Sequence, residues 1–269
     1  MALKKNKLFT RFSVAMLLFL ALLMGYLLYT KLRNFNFWPQ QDEESNFTSY
    51  PGFGISLPNN YAIHGIDVSR YQQRINWSLV KKMADGGVAI GFAFVKATEG
   101  SQLTDAQFAR NWQKTKAVGM PRGAYLFFRA GKGGPTQASY FIKQVNLLPG
   151  DLPPVVDIET LNNETPETMR QELTECLQTL QRHYGVAPIL YSNATFYNTH
   201  LQGQFEQYPL WVAHYFEQRR PRVSRPWQFW QHSENGRVNG ISGNVDFNVF
   251  SGDSAAFKAL LLPPKAAVR

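Results

Sequence analysis

Two acidic side chains stand two residues apart near the middle of the chain, in the stretch Asp151 to Thr160 (DLPPVVDIET). The two prolines of this stretch exclude a helix, and the apolar residues after them predict a short strand. Because side chains alternate between the two faces of a strand, Asp157 and Glu159 share one face. Carboxylates this close raise each other's proton affinity, and such a pair can serve as general acid and charge stabiliser. The alternative is a strand end whose acids simply face water.

The segments around this pair alternate between strand and helix, which predicts a parallel sheet. Helices are predicted at 77–84, 104–118 and 135–147. A longer helix is predicted between Thr165 and Gly185, because Thr favours the N-terminal end of a helix and Gly the C-terminal end. Eight strands with only about five helices predict an α/β fold, an irregular TIM-like barrel. The strands are predicted at 64–68, 88–96, 122–128, 155–158, 188–192, 209–215, 227–232 and 245–249.

Two further acids are expected near the central pair. Asp67 ends the first predicted strand and Asp246 lies in the last one, and closure of a barrel makes these two strands neighbours. The active site of such a barrel gathers at the carboxyl ends of its strands. We therefore expect Asp67, Asp157, Glu159 and Asp246 to converge on one mouth.

Aromatic residues in or near the strand ends are candidates for binding substrate, because aromatic faces commonly hold sugar rings. Aromatic residues in strands are equally explained by packing in a core, so both interpretations stay open. The four candidates are Tyr125, Tyr191, Trp211 and Trp230.

The sequence predicts no metal site, no cofactor and no nucleic-acid partner. The single cysteine, Cys176, excludes an intramolecular disulfide, and its helical spacing from Leu173 and Leu177 predicts a buried, inert thiol. No nucleic-acid-binding motif is present. The histidines show no paired ligand spacing; they are His64, His183, His200, His214 and His232.

The first part of the chain differs in composition from the rest. Residues 12–29 carry no charge, and more basic residues precede them than directly follow them. This pattern predicts a single transmembrane helix within residues 1–33, with the N-terminus in the cytoplasm. A flexible linker is predicted at 34–60, followed by an exported domain at 61–269. The alternative is a cleaved signal peptide, which would give a secreted protein.

Six stretches of the domain resemble a known family. They run in the family's order through nearly all of residues 61–250, and they are similar to the glycoside hydrolase family 25 lysozymes, which are N-acetylmuramidases of the Chalaropsis type. The stretches are His64 to Gln72 (HGIDVSRYQ), Val88 to Gly100 (VAIGFAFVKATEG), Arg122 to Phe128 (RGAYLFF), Pro154 to Glu159 (PVVDIE), Pro209 to Tyr215 (PLWVAHY) and Gly236 to Asn248 (GRVNGISGNVDFN).

This resemblance implies both a fold and a reaction. The fold is a modified barrel of eight strands and about five helices, and the reaction is hydrolysis of the β-1,4 bond from N-acetylmuramic acid to N-acetylglucosamine in peptidoglycan. By position, Glu159 is the catalytic acid, Asp157 is its partner, and Asp67 and Asp246 are the other carboxylates of the site. Similar enzymes use the substrate's own N-acetyl group as nucleophile, which Asp157 would orient. Leu126 departs from the pattern, because many relatives carry His there, and it can alter substrate subsites.

Two other functions share part of this pattern. A peptidoglycan-binding barrel without turnover would keep the mouth, but such proteins typically lose the acid, and Glu159 is present. A chitinase-like hydrolase also uses an Asp-x-Glu pair, but it has a further Asp where this chain has Val155.

The apolar segment and basic N-terminus predict a single-pass protein of a bacterial cell membrane, with its domain in the periplasm or wall space. The oligomeric state stays open.

Overall fold

The computed structural model of the chain describes residues 24–26 and 46–264. Eight of its strands close into a barrel, because β3 pairs with β5 on one side and with β12 on the other. The strands are β1 (Phe47–Tyr50), β2 (Ile55–Pro58), β3 (Ile63–Val68), β4 (Ala84–Asp85), β5 (Val88–Glu99), β6 (Leu103–Thr104), β7 (Arg122–Phe127), β8 (Val155–Asp157), β9 (Ile189–Asn193), β10 (Leu210–Ala213), β11 (Phe229–Gly236) and β12 (Val245–Phe250).

The described residues form more helices than the sequence predicted. Two short helices were missed, one directly after β9 and one after β12, and neither has the long amphipathic pattern that reveals a helix in sequence. A 3-10 turn at Arg70–Gln72 and a π-helical turn at Tyr197–Leu201 complete the set. The helices are α1 (Trp77–Lys82), α2 (Phe108–Ala117), α3 (Gly134–Gln144), α4 (Pro166–Tyr184), α5 (Ala194–Phe196) and α6 (Ser254–Leu260).

One strand of the barrel runs against the other seven. The prediction of a parallel sheet is confirmed for β3, β5 and β7 to β11, but β12 is antiparallel to both of its neighbours. The chain between β11 and β12 spans only residues 237–244, which is too short for the helical crossover that a parallel connection needs. The reversal brings the start of β12, not its end, to the mouth.

The barrel interior is filled by side chains at every second strand position. Phe94 stacks on Trp211 at 4.3 Å between ring centroids, and the ring of Phe92 lies edge-on to Phe229 at 5.2 Å. Glycines make room for these rings, since a Cβ on Gly65 would lie 2.5 Å from the ring of Phe92. The barrel interior is therefore packed with side chains, and the space for a ligand lies at the mouth of the barrel.

The helices pack around the barrel through their apolar faces. The longest, α4, begins as predicted, with the Thr165 hydroxyl accepting a hydrogen bond from the Thr168 amide, and it ends at Gly185 with a φ of 72°. Cys176 is fully buried in its apolar face, and burial raises the pKa of the thiol well above its usual range. The predicted burial of this thiol is confirmed.

The prediction of a flexible linker through residue 60 is wrong for residues 46–60. They form the antiparallel hairpin β1–β2, in which Phe53 and Leu57 are buried in the hydrophobic core. Phe53 packs against Phe247 of β12 at 5.2 Å, and Phe47 lies edge-on to Trp230 of β11 at 5.9 Å. No helix separates β11 from β12 along the chain, so the hairpin covers apolar side chains on the outer side of these strands.

The predicted membrane anchor at residues 12–29 lies almost wholly outside the described residues, which include only Met24 to Tyr26 of it. Among the residues that are described, no helix is long and apolar enough to cross a membrane.

Candidate active site

The four predicted carboxylates converge at one mouth of the barrel. Asp67 lies near the end of β3, Asp157 ends β8, Glu159 follows two residues later, and Asp246 is the second residue of β12. All four line one pocket of about 280 Å³. Asp246 lies directly opposite Asp67 in the antiparallel register of β12 and β3. The reversed direction of β12 thus places Asp246 at the mouth.

Asp67 is the most strongly hydrogen-bonded of the four acids. Its Oδ2 accepts hydrogen bonds from Gln231 Nε2 at 2.7 Å and Asn248 Nδ2 at 2.8 Å, and its carboxyl also hydrogen-bonds that of Asp246. Burial raises the pKa of Asp67, and these bonds offset only part of that rise. The pKa of Asp246 is raised by burial and by the charge of Asp67. The proton of this pair therefore stays on Asp246, and Asp67 accepts it as a carboxylate.

Asp246→Asn is expected to remove part of the pH dependence of stability. Burial and the Asp67 charge raise the pKa of Asp246 to about 9, so the folded protein keeps a proton that the unfolded chain releases above about pH 4. The free energy of unfolding therefore falls as pH rises through this window. Asn does not titrate and still donates to Asp67. At pH 8 the free energy of unfolding of the variant should therefore exceed that of wild type by about 1 kcal/mol or more.

Urea unfolding at pH 5, 6.5 and 8 measures this difference. Asp253→Asn is the matched control, because Asp253 is an exposed carboxylate that caps α6 and Asn caps a helix equally well. Parallel stability curves for Asp246→Asn and wild type would contradict the shared proton.

Asp157 and Glu159 have different surroundings. Asp157 is buried, its Oδ1 has no hydrogen-bond partner among the described residues, and burial together with the nearby Glu159 charge raises its pKa well above the ordinary value. Glu159 is only partly buried; burial raises its pKa, while a hydrogen bond with the Tyr191 hydroxyl and the charges of Lys96 and Arg129 oppose that rise. The site thus contains a partly exposed carboxyl, that of Glu159, beside the buried carboxyl of Asp157, whose Oδ1 can accept a hydrogen bond from a ligand.

Three of the four predicted aromatic residues lie at the mouth. Tyr125, Tyr191 and Trp211 line the pocket, although each is less than a tenth exposed. Trp211 is stacked on Phe94, and its indole N–H donates to Asn248 Oδ1 at 2.7 Å. These rings therefore form the base of the pocket and do not project from it.

The prediction for Trp230 as a substrate-binding residue is wrong. The alternation along β11 directs Phe229 and Gln231 into the barrel, so Trp230 faces outward beneath the hairpin β1–β2. Its indole N–H donates to the His214 carbonyl at 2.9 Å. Leu126 also faces outward, fully buried in the core between barrel and helices, and it does not line the mouth.

Several polar residues of the mouth were missed in the sequence. Gln231 is the centre of a network, because its Oε1 accepts hydrogen bonds from the hydroxyls of Tyr191 at 2.8 Å and Tyr215 at 2.7 Å while its amide holds Asp67. Lys96 lines the pocket and donates to Glu99. A signal was present for Lys96, since it follows Phe92 and Phe94 at every second position of an otherwise apolar strand.

Within the described part of the chain, no group of three or more His, Cys, Asp or Glu side chains has the geometry to hold a metal ion. The carboxyls of Asp67, Asp157, Glu159 and Asp246 can transfer protons and stabilise charge at the mouth.

Comparison with known proteins identifies the family. The sequence profile of “Glycosyl hydrolases family 25” matches residues 66–241. The chain belongs to glycosyl hydrolase family 25. The matched span contains Asp67, Asp157 and Glu159, whereas Asp246 lies just beyond it and joins them only through barrel closure.

Relatives support the same assignment. The uncharacterized protein YegX of Escherichia coli O157:H7 is 44% identical over 209 residues, covering 78% of this chain and 77% of that protein. Lysozyme M1 of Streptomyces globisporus is 34% identical over 227 residues, covering 77% of this chain and 74% of the lysozyme. A solved family 25 glycosyl hydrolase from Bacillus anthracis matches with a TM-score of 0.71 at 32% identity, covering 80% of this chain and 100% of that one. This family 25 member is a glycoside hydrolase.

Proposed function

We propose that this family 25 enzyme is a peptidoglycan N-acetylmuramidase, a lysozyme that cleaves the β-1,4 bond between N-acetylmuramic acid and N-acetylglucosamine. The observation that carries the proposal is the pairing of a partly exposed Glu159 with a buried Asp157 at a pocket whose base is formed by aromatic rings. The similarity to Lysozyme M1 supports the choice of substrate.

Glu159 is the general acid. Burial raises its pKa, so a larger fraction of this carboxyl is protonated near neutral pH than of an exposed glutamate, and it can protonate the leaving glycosidic oxygen. Once deprotonated, the same carboxylate activates the water that completes hydrolysis. The Tyr191 hydroxyl contacts this carboxyl and is itself fixed on Gln231, so the acid has a defined orientation.

Asp157 orients the N-acetyl group of the sugar at the cleaved bond. Its buried Oδ1 has no hydrogen-bond partner among the described residues, and an acetamido N–H would supply one. The acetamido oxygen then attacks the anomeric carbon, so no covalent bond to the protein forms. Two successive displacements retain the anomeric configuration. Proton NMR of the first product formed tests this step, and initial release of the inverted anomer would exclude N-acetyl assistance.

Digestion of purified peptidoglycan tests the main proposal. The products are reduced with borohydride and identified by mass, and we expect reduced muramic acid at the new ends. Reduced glucosamine ends would instead indicate a glucosaminidase, and cleavage of chitin in preference to peptidoglycan would indicate a chitinase-like enzyme. Binding to sacculi without any release would leave a sugar-binding barrel. The protein tested must include residues 46–60, because the hairpin is part of the domain.

The same proposal includes a location. Residues 12–29 carry no charge and follow four basic residues, which supports a single-pass anchor with a cytoplasmic N-terminus and the hydrolase domain outside. Membrane fractionation together with the mass of the mature N-terminus tests it. A soluble product that begins after residue 25 would indicate a cleaved signal peptide.

A further inference from the structure

A positively charged recess adjoins the mouth. It has a volume of about 230 Å³ and is lined by Glu99 to Leu103 together with Arg129 and Lys132. Lys96 connects the two spaces, because it lines the mouth while its Nζ donates to Glu99 Oε2 at 2.8 Å. The residues that line the recess thus include two cations, Arg129 and Lys132, and one acid, Glu99, and Lys96 adds a third cation where the recess borders the mouth.

Lys96 and Arg129 share two partners, the Glu99 carboxylate and the Phe127 ring. Arg129 donates twice to Glu99 Oε1, from Nη2 at 2.5 Å and Nε at 3.1 Å. Lys96 and Arg129 each lie 4.6 Å from the ring centroid of Phe127. About a third of the Arg129 side chain is exposed, and Lys132 is exposed without an ion-pair partner among the described residues. Arg129 and Lys132 thus keep hydrogen-bond donors available to a ligand.

The loop that carries these two residues is rigid. The Gln137 side chain bonds both backbone groups of Arg129, accepting from its N–H at 2.9 Å and donating to its carbonyl at 2.8 Å. Asn162 Oδ1 accepts from the Ala130 amide, and the Glu172 carboxylate accepts from the amides of Gly131 and Gly133. A loop fixed by five side-chain hydrogen bonds is preorganised, so little conformational entropy is lost when a ligand binds.

The charges around the mouth are unevenly distributed. Asp67, Asp246 and Glu234 lie on the pocket wall formed by β3, β11 and β12, whereas Lys96 and Arg129 come from β5 and the segment after β7. An anionic substituent of a bound glycan is repelled by the Asp67 and Glu234 carboxylates of the first side, whereas on the second side Lys96 and Arg129 offset the charges of Glu99 and Glu159. The planar fork of Arg129 suits a carboxylate, and Lys132 adds a point charge beside it.

We propose that Arg129 and Lys132, supported by Lys96 and Glu99, form a subsite for a carboxylate carried by the substrate next to the cleaved bond. The subsite rests on the proposed function, because peptidoglycan supplies such carboxylates in two places. One is the lactyl group of muramic acid when it bears no peptide, and the other is the peptide stem. The subsite explains how a pocket lined by carboxyls accepts an acidic polymer in one orientation.

Steady-state kinetics of the full-length protein test the subsite. The double variant Arg129→Gln/Lys132→Gln is compared with Lys116→Gln/Lys143→Gln, which removes the same charge from exposed positions of α2 and α3. We expect KM for stem-bearing glycan oligomers to rise about tenfold in the first variant, as one lost charged hydrogen bond implies, and to stay unchanged in the matched control variant. Arg129→Lys should restore part of the affinity, and added salt should raise KM less in the double variant than in wild type.

Substrate form then separates the two sources of carboxylate. If KM also rises for glycans whose stems have been removed by an amidase, the lactyl carboxylate is the ligand; if it rises only for stem-bearing glycans, the stem is. An unchanged KM for both forms, or a loss confined to kcat, would overturn the subsite.

Binding distinguishes failure of the subsite from failure of the proposed function. Calorimetry with the Glu159→Gln protein compares a muramyl oligosaccharide with a neutral chitin oligosaccharide of the same length. Weaker binding of only the acidic oligosaccharide after the double substitution supports the subsite even if wild type cleaves no peptidoglycan. Equal effects on both oligosaccharides would overturn it even if cleavage is normal.

Discussion

Glu159→Gln is expected to lower kcat on peptidoglycan by about 10³-fold, which is within the range that general acid-base catalysis contributes. The amide cannot protonate the leaving oxygen or activate water, but it preserves the size of the side chain and can still hydrogen-bond the Tyr191 hydroxyl by donating its N–H to the hydroxyl oxygen. KM and the urea unfolding midpoint should therefore stay near those of wild type. Release of reduced muropeptides, followed by mass, measures the effect.

Glu167→Gln is the matched control for this substitution. Glu167 lies in the first turn of α4, three quarters exposed and ion-paired with Arg170, so its loss should leave kcat unchanged. If Glu159→Gln retained more than about a tenth of wild-type kcat, a factor below what a lost general acid costs, another group would have to be the acid. Loss of activity together with a lowered unfolding midpoint would indicate a packing role.

Removal of residues 1–60 is expected to destabilise the domain by more than about 3 kcal/mol, because it deletes the buried side chains of Phe53 and Leu57. It also removes the hydrogen bond from the Arg237 amide to the Phe53 carbonyl and uncovers Trp230, His232 and Phe247. Equilibrium urea unfolding measures the loss. The family profile begins at residue 66, so a protein designed from the family match alone would lack this hairpin.

Removal of residues 1–45 is the control, because it leaves the hairpin intact and should keep the unfolding midpoint of the domain. Phe53→Ala in that shorter protein should cost about 3 to 5 kcal/mol, as expected for a fully buried phenylalanine. His232 reports the same contact independently. Its pKa, lowered to about 3 by burial, should return toward the ordinary value once the hairpin is absent. Equal midpoints for the two truncated proteins would show that the hairpin is not part of the fold.

The strands and the longer helices could be predicted from the sequence because their patterns are local. Eight strand positions, the caps of α4 at Thr165 and Gly185, and burial of Cys176 follow from residue types a few positions apart. The pairing of Asp157 with Glu159 is equally local, since alternation along one strand places both on one face. The hairpin β1–β2 was missed because Asn, Ser, Pro and Gly around it resemble a linker, and its stability comes from contacts with β11 and β12.

The site also contains residues that no local pattern distinguishes. Trp211 and Trp230 lie in neighbouring strands of similar composition, yet one forms the base of the pocket and the other is buried outside the barrel. Which face of β11 points inward depends on the register of the closed sheet, and a shift of one residue would exchange Trp230 with Gln231. The same register decides that Gln231 and Asn248 reach Asp67.

By itself, the sequence determined the barrel class, the Asp157–Glu159 pair and the resemblance to family 25, because each is written in short stretches of chain. Only the tertiary structure decided that β12 runs antiparallel, so that Asp246 meets Asp67, and that Lys96, Arg129 and Lys132 border the acids. The physical reason is that both depend on contacts between residues far apart in sequence, and closure of the barrel fixes those contacts.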